Sequence, residues 1–118
     1  MSKIKAVRID TDGKVTPLDL DSGCEALQAE VGGSFDLVTS ATGETSFWVN
    51  DEGKLTGLPI NTVATILLYR LNPVFRGKDF LCGPVVLTGG ADENGNTLSL
   101  SKEAATAIID LYNVAVPL

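Results

Sequence analysis

The side chains that this sequence offers for chemistry are hydroxyls, amides and carboxylates, because the chain of 118 residues contains no histidine. That absence excludes Ser-His-Asp and Cys-His catalysis and histidine-ligated metal sites. Two pairs of carboxylates, Asp10 with Asp12 and Asp92 with Glu93, lie beside glycines in patterns typical of turns. General acid catalysis needs a carboxyl group with a raised pKa, which an exposed turn does not provide. We therefore predict a protein that is not an enzyme and that has no cofactor, catalytic residue or metal site.

A positively charged segment interrupts this acidic chain. The net charge is −6, yet the residues from Gly53 to Lys78 include four cations and no carboxylate. The same segment contains the start of a predicted helix, where free N–H groups and the helix dipole favour anions. The pattern predicts a site for a small anionic, nucleotide-like ligand.

The candidate ligand-binding residues follow the polar side of that helix, where residues three and four apart lie together. They are Asn61, Thr62, Thr65, Tyr69, Arg70 and Arg76. Arg70 points away from the stripe, so Arg76 on the following loop is the alternative source of charge. The simpler interpretation is a solvated helix face with scattered loop cations.

Trp48 is the last candidate ligand-binding residue. It follows Phe47 in a predicted strand, so the two rings point to opposite faces of a sheet. One ring belongs to the core. The other is either exposed or lies under a loop, where it could stack on a planar ligand. A purely structural role for both rings is the alternative.

These candidates have to be positioned by an α+β fold. We predict a single domain over residues 1–118, a mainly antiparallel sheet built from hairpins, and about three helices packed on it. The stretch from Asn50 to Arg70 organises the chain as a turn, an extended arm, a cap and a helix apolar nearly all round, which is normally buried. The predicted strands are 4–9, 15–20, 35–38, 46–49, 80–88 and a short 114–118. In the first strand, alternation places Val7 and Ile9 on one face and Ile4 and Ala6 on the other. The predicted helices run from Asp21 or Ser22 to about Val31, from Asn61 or Thr62 to before Pro73, and from Ser99 or Ser101 to about Leu111.

Two details of the pattern bear on the sheet. Pro17 removes a backbone donor, which predicts that its strand lies at an edge. Residues 9–18 align without gaps on residues 49–58, an offset of 40. Convergent hairpin chemistry explains this alignment, and so does a repeated turn–strand–helix unit. A repeated unit would favour helices on one face of the sheet.

Composition narrows the partners and the compartment. The negative net charge disfavours nucleic-acid binding, and no apolar run is long enough for a membrane helix. The sequence starts without the pattern of a signal peptide. We predict two buried free thiols, Cys24 and Cys82, in a reducing compartment, with a disulfide as the alternative. These features predict a cytoplasmic protein.

The residues 53–65, GKLTGLPINTVAT, followed by Gly83-Pro84-Val85-Val86, resemble a family of small domains of unknown function. Bacteriophages, plasmids and actinobacterial mobile elements encode this family. The resemblance implies a phage or mobile-element protein that acts inside a bacterial host cell, and it implies no catalytic residues. Its motif positions Gly57, Pro59, Asn61 and Thr65 are places to look for a site.

Two binding functions remain open from the sequence. The first is a protein that sequesters a small anionic ligand, such as a nucleotide used in host defence. The second is an acidic inhibitor or adaptor that engages a host protein. The chain could also form a homo-oligomer. An enclosed polar pocket containing Asn61 and an arginine would favour the first function, and a flat acidic face without a pocket would favour the second.

Overall fold

The computed structural model describes residues 3–21, 24–52 and 56–113. Along the chain, two pairs of strands are each followed by a helix, and a last strand is followed by a third helix. The elements are β1 (Lys3–Ile9), β2 (Val15–Asp21), α1 (Cys24–Val31), β3 (Phe35–Thr39), β4 (Thr45–Asn50), α2 (Thr62–Leu71), a 3₁₀ turn (Pro73–Phe75), β5 (Val85–Gly89) and α3 (Lys102–Tyr112). The predicted final strand 114–118 lies outside the described residues, as does Ser22.

The strands form one antiparallel sheet in the order β2-β1-β5-β4-β3. Two hairpins, β1–β2 and β3–β4, form its two sides, and β5 is inserted between them. All five residues of β5 are buried, as expected for a central strand covered on both faces. The prediction of a single α+β domain with an antiparallel sheet and three helices is confirmed.

The helices lie on both faces of the sheet. Leu27 and Val31 of α1 pack on Ile4, Ala6 and the same face of the sheet. Helices α2 and α3 pack on the opposite face, whose side chains include Val7, Ile9, Phe47 and Leu87. The two sides predicted for β1 are therefore correct, and the helix arrangement expected of a repeated unit is not found.

Helix α2 is part of the larger core, but it is buried on one side only. Leu67 and Leu68 are fully buried, whereas Ile66, the residue before them, is 43% exposed. The expectation of a helix buried nearly all round is thus wrong for this outer side. The helix ends at Leu71, before Pro73, as predicted.

Several boundaries follow the predicted signals. Helix α1 ends at Val31, and Gly32 adopts φ +86°, the left-handed conformation that glycine accepts most easily. Ser101 caps α3, because its Oγ accepts a hydrogen bond from the Ala104 N–H. The predicted strand 80–88 is shorter than expected. Its first part forms only an isolated bridge between Cys82 and Ile60, since Gly83 turns the chain at φ +79°.

Two further expectations concern compartment and membrane. Cys82 is a buried free thiol, and the side chain of Cys24 lies outside the described part of the chain. None of the helices in the described residues is long and apolar enough to span a membrane.

Candidate functional site

Asn61 is a fully buried residue whose side chain connects α2 to the centre of the sheet. Its Oδ1 accepts from the Ala64 N–H at 3.1 Å and so caps the helix. Its Nδ2 donates to the carbonyls of Ile9 and Gly83, each at 2.9 Å. Both amide protons and the amide oxygen are therefore used within the fold, and the side chain joins α2, β1 and the segment before β5.

Neighbouring hydrogen bonds extend this connection. Asn61 N–H donates to Leu81 O at 2.7 Å, and Gly83 N–H donates to Pro59 O at 2.8 Å. Thr65 is buried, and its Oγ1 accepts from Leu81 N–H at 3.0 Å. We call Pro59, Asn61, Thr65, Leu81 and Gly83 the Asn61 clasp. The motif that suggested a family resemblance thus forms the contact between the start of α2 and residues 81–83.

The other predicted residues of α2 are more scattered. Thr62 is exposed at the start of the helix. The Tyr69 hydroxyl donates to the backbone carbonyl of Asp79. Arg70 is half exposed and pairs with Asp110 of α3 at 3.4 Å, and Arg76 is exposed in the turn after the 3₁₀ segment. The structure brings Asn61 and Thr65 together in the clasp, whereas Arg70 is directed towards α3.

Trp48 lies on the opposite face of the sheet, where α1 packs. Its ring meets Phe35 edge to face, with centroids 5.0 Å apart and planes at 84°. Its Nε1–H donates to Thr88 Oγ1 at 2.8 Å. Phe47 is fully buried in the core with α2, so the prediction that the two rings separate is confirmed. Trp48 is on a different face from the residues predicted along α2.

A small cavity with an acidic rim opens between β3, β4 and residues 79–82. Its volume is about 120 Å³. We call this cavity the acidic cleft. It is lined by Asp36, Val38, Val49, Asn50, Asp51, Asp79, Phe80, Leu81 and Cys82.

The floor and the rim of the acidic cleft differ in chemistry. Val49, Leu81 and Cys82 are buried at its floor, whereas Asp36 and Asp51 are exposed at its rim. No lysine or arginine is among its described lining residues. The cleft therefore combines an apolar interior with negative charge, a combination that suits a cation carried on an apolar stem.

Size and geometry limit what the cleft can hold. Cavities that hold drug-sized ligands usually measure about 300–1,000 Å³, so this cleft has room for one side chain rather than a nucleotide. Among the described residues, no three acidic or thiol groups are arranged to hold a metal ion. The Asp36 carboxylate accepts a hydrogen bond from the next residue, Leu37 N–H, at 2.8 Å.

A family model for a domain of unknown function, DUF3846, matches residues 4–113. The chain belongs to the DUF3846 family. No curated protein and no solved structure matches it.

A second polar cluster in this DUF3846 domain surrounds Glu103, in the first turn of α3. The Glu103 carboxylate accepts hydrogen bonds from Thr45 at 2.6 Å, from Ser40 at 2.7 Å and from Thr42 at 2.9 Å. Ser101 Oγ lies 2.6 Å from Thr45 Oγ1. These contacts attach the β3–β4 turn to the start of α3.

The hydrogen-bond donors around Glu103 explain why its carboxyl group stays ionised. Burial alone would raise the pKa of this carboxyl group, but the hydroxyl donors Thr45, Ser40 and Thr42 outweigh burial and lower the pKa. A protonated Glu103 would leave one of these hydroxyls without an acceptor. Because the three hydroxyls all donate to the carboxylate, the cluster stabilises the contact between the β3–β4 turn and α3.

Sequence reasoning missed both the acidic cleft and the Glu103 cluster. Asp36 and Asp79 are far apart in the sequence, and neither has an acidic residue next to it. They line the same cleft only because β3 lies near residues 79–82. The sequence does contain a local, weak signal of the Glu103 cluster. Hydroxyl residues are dense in 39–46, and Glu103 occupies the first turn of a predicted helix, where an acidic side chain is favourable.

Proposed function

We propose that this protein acts without catalysis, by binding a basic protein partner through the acidic cleft. The observation that carries the proposal is the arrangement of Asp36 and Asp51 at the rim of an apolar cavity the size of one side chain. A lysine or arginine side chain matches both features. Its methylene stem would cover Val49 and Leu81, and its charged end would reach the rim.

Long-range electrostatics supports the same partner. The net charge of −6 attracts a basic surface before contact and speeds association. At the cleft, a charge-assisted hydrogen bond to Asp36 or Asp51 would then fix the position of the bound side chain. In this proposal the protein is an inhibitor or adaptor, and the family resemblance supplies its setting, a bacterial host cell.

Sequestration of a small anionic ligand has less support from the geometry. The side chain of Asn61 and the Thr65 hydroxyl already make hydrogen bonds inside the fold, and Arg70 is paired with Asp110. Two grooves that are larger than the acidic cleft are shallow. Each is lined by Glu44 as well as Lys102, so positive charge does not dominate them. We therefore favour the protein partner.

A displayed library of short random peptides tests the proposal. Peptides that bind the wild-type protein should be enriched in lysine and arginine relative to the starting library. Their binding should weaken with added salt, because the contacts are between charges. It should also be lost with the double variant Asp36→Asn and Asp51→Asn, which keeps the size of both side chains but removes their charge.

The control variant changes the net charge equally at two residues that do not line the cleft. Asp12→Asn with Glu93→Gln also removes two negative charges, and binding should be close to that of the wild type. Enrichment of acidic or neutral peptides would overturn the proposal. So would equal losses in the two double variants, because they would show that only net charge matters. A nucleotide that raises the Tm, with no basic peptide bound, would support sequestration instead.

A further inference from the structure

Within residues 3–21, 24–52 and 56–113, the strand beside the acidic cleft, β3, is the last strand of the sheet on that side. Ser40 N–H donates to Thr45 O at 3.0 Å, and Asp51 N–H donates to Ser34 O at 3.1 Å. Hydrogen-bonded pairs alternate along an antiparallel ladder, so Asp36 and Val38 direct their backbone groups towards β4. The backbone groups of Phe35, Leu37 and Thr39 consequently point away from the sheet.

The other edge of the sheet is protected by its sequence. Asp10 N–H donates to Lys14 O, which by the same alternation places Pro17 of β2 with its nitrogen pointing away from β1. Because proline has no N–H, that edge lacks a donor where a new strand would need one. Strand β3 contains no proline. Two of its outward groups have hydrogen-bond partners in the free protein: Leu37 N–H donates to Asp36 Oδ1, and Thr39 O accepts from Asn72 Nδ2 at the end of α2.

The acidic cleft opens on the same side of the sheet as two β3 side chains, Asp36 and Val38. In a sheet, directly opposite residues of neighbouring strands place their side chains on the same face. A strand added beside β3 would therefore place every second side chain next to the cleft. Its other side chains would lie beside Leu37, which is 44% exposed, on the face that carries Trp48.

We infer that the basic partner adds an antiparallel strand to β3 and directs alternate lysine or arginine side chains to the acidic cleft. This inference rests on the proposed function and specifies its partner, an extended segment in which basic and apolar residues alternate. The antiparallel direction matches every pairing in the sheet. Backbone hydrogen bonds would supply affinity, and the cleft would supply the preference for a cation.

Asp36 connects the two parts of this inference. In the free protein its carboxylate accepts from Leu37 N–H. A carbonyl of the added strand would take over that N–H, because it points to the open edge. The carboxylate would then be available to a cation of the partner at the rim of the cleft. Strand addition and cation binding would in this way strengthen one another.

The probe is a synthetic peptide in which lysine alternates with valine, with its affinity measured by fluorescence anisotropy. Two versions carry N-methyl groups, either on the valine nitrogens or on the lysine nitrogens. In the inferred pairing the valines lie opposite Phe35, Leu37 and Thr39, so their N–H groups face β3. Methylation of the valine nitrogens should weaken binding about tenfold or more, and methylation of the lysine nitrogens should change it little.

A protein variant and a spectrum give independent readouts. Leu37→Pro copies the proline of β2 at the open edge and leaves the β3–β4 ladder intact. Once its fold is verified by circular dichroism, it should lose binding to a similar extent. In the amide NMR spectrum of the wild type, the peptide should shift Phe35, Leu37 and Thr39 more than the β2 edge.

The outcomes separate this inference from the proposed function. If the unmodified peptide binds and neither methylation matters, strand addition is overturned while the acidic cleft remains the site. If only methylation of the lysine nitrogens weakens binding, the antiparallel pairing is overturned, because the lysine N–H groups would then be the ones that face β3. If basic peptides do not bind at all, both proposals fail.

Discussion

The Asn61 clasp and the acidic cleft are neighbouring polar regions with opposite properties. Asn61 is fully buried, and its amide makes hydrogen bonds to three backbone groups. Asp36 and Asp51 of the cleft are exposed at its rim. A buried polar group without a partner costs about 1–3 kcal/mol, so buried polar residues have to be satisfied within the fold. Exposed carboxylates meet no such requirement, and they remain accessible to another molecule.

The two regions are connected through residues 79–83. Leu81 receives the Asn61 N–H and donates its own N–H to Thr65, and it also lines the cleft. The hydroxyl of Tyr69, which lies in α2 like Thr65, donates to the carbonyl of Asp79. The clasp therefore holds one wall of the cleft in position. The motif residues predicted as ligand contacts would then serve a binding site indirectly, by fixing its shape.

The largest effect should follow from Asn61→Ala. The substitution removes the cap of α2 and leaves the carbonyls of Ile9 and Gly83 without their side-chain donor. Loss of a cap costs about 0.5–2 kcal/mol, and each unsatisfied buried group about 1–3 kcal/mol. We expect unfolding to become easier by about 3–5 kcal/mol in total, measured by urea denaturation.

Thr62→Ala is the matched control for this prediction. Thr62 is the next residue and is exposed, so its truncation should change the free energy of unfolding by less than about 0.5 kcal/mol. Equal, small changes for both variants would show that Asn61 is not structural. The hypothesis that its amide binds a ligand would then regain support.

Local rules predicted most of the fold. Alternation of apolar residues predicted β1 and its two faces. Pro17 predicted that β2 lies at an edge of the sheet, and Pro73 predicted where α2 ends. The cap of α2 at Asn61 also follows from a local rule. The place of β5 between two hairpins did not follow, because antiparallel neighbours can be distant in sequence. The placement of helices on both faces of the sheet could not be predicted for the same reason, since the face that a helix covers depends on how the strands pair.

The candidate site was harder to predict than the fold. The amide of Asn61 reaches Ile9 and Gly83, which are far from it in the chain, so a local pattern shows only its capping role. The acidic cleft unites β3, β4 and residues 79–82, and its carboxylates form a group only once these segments are packed. Polar spacing along α2 was a real signal of a special role. For Asn61 and Thr65, that role includes hydrogen bonds inside the fold.

A smaller effect, dependent on pH, should follow from Glu103→Gln. Hydrogen bonds to a charged acceptor contribute about 1.5–3 kcal/mol, against about 0.5–1.5 kcal/mol for a neutral one. At neutral pH we expect the variant to be less stable by about 1–2 kcal/mol. Urea denaturation measures the loss, and Glu93→Gln, which removes an exposed carboxylate, should show almost none.

The sign of the pH effect follows from the lowered pKa of Glu103. The folded pKa lies below the ordinary value of 4.5, so the unfolded state binds the proton first as the pH falls. The stability that Glu103 contributes is therefore complete above about pH 4.5 and disappears as the pH falls through the folded pKa. The difference between the wild type and Glu103→Gln should shrink over that range. A constant difference would contradict the ionised cluster.

The smallest effect on stability should come from the acidic cleft itself. Asp36→Asn with Asp51→Asn keeps both side chains close to their original size, and Asn at position 36 retains an oxygen that can accept from Leu37 N–H. Surface substitutions away from structural contacts usually change stability by less than about 0.5 kcal/mol. We expect the urea midpoint of this double variant to match that of the wild type, although its binding of basic peptides is lost. A loss of stability like that of Asn61→Ala would show that these carboxylates hold the fold, and the contrast between the cleft and the clasp would then no longer apply.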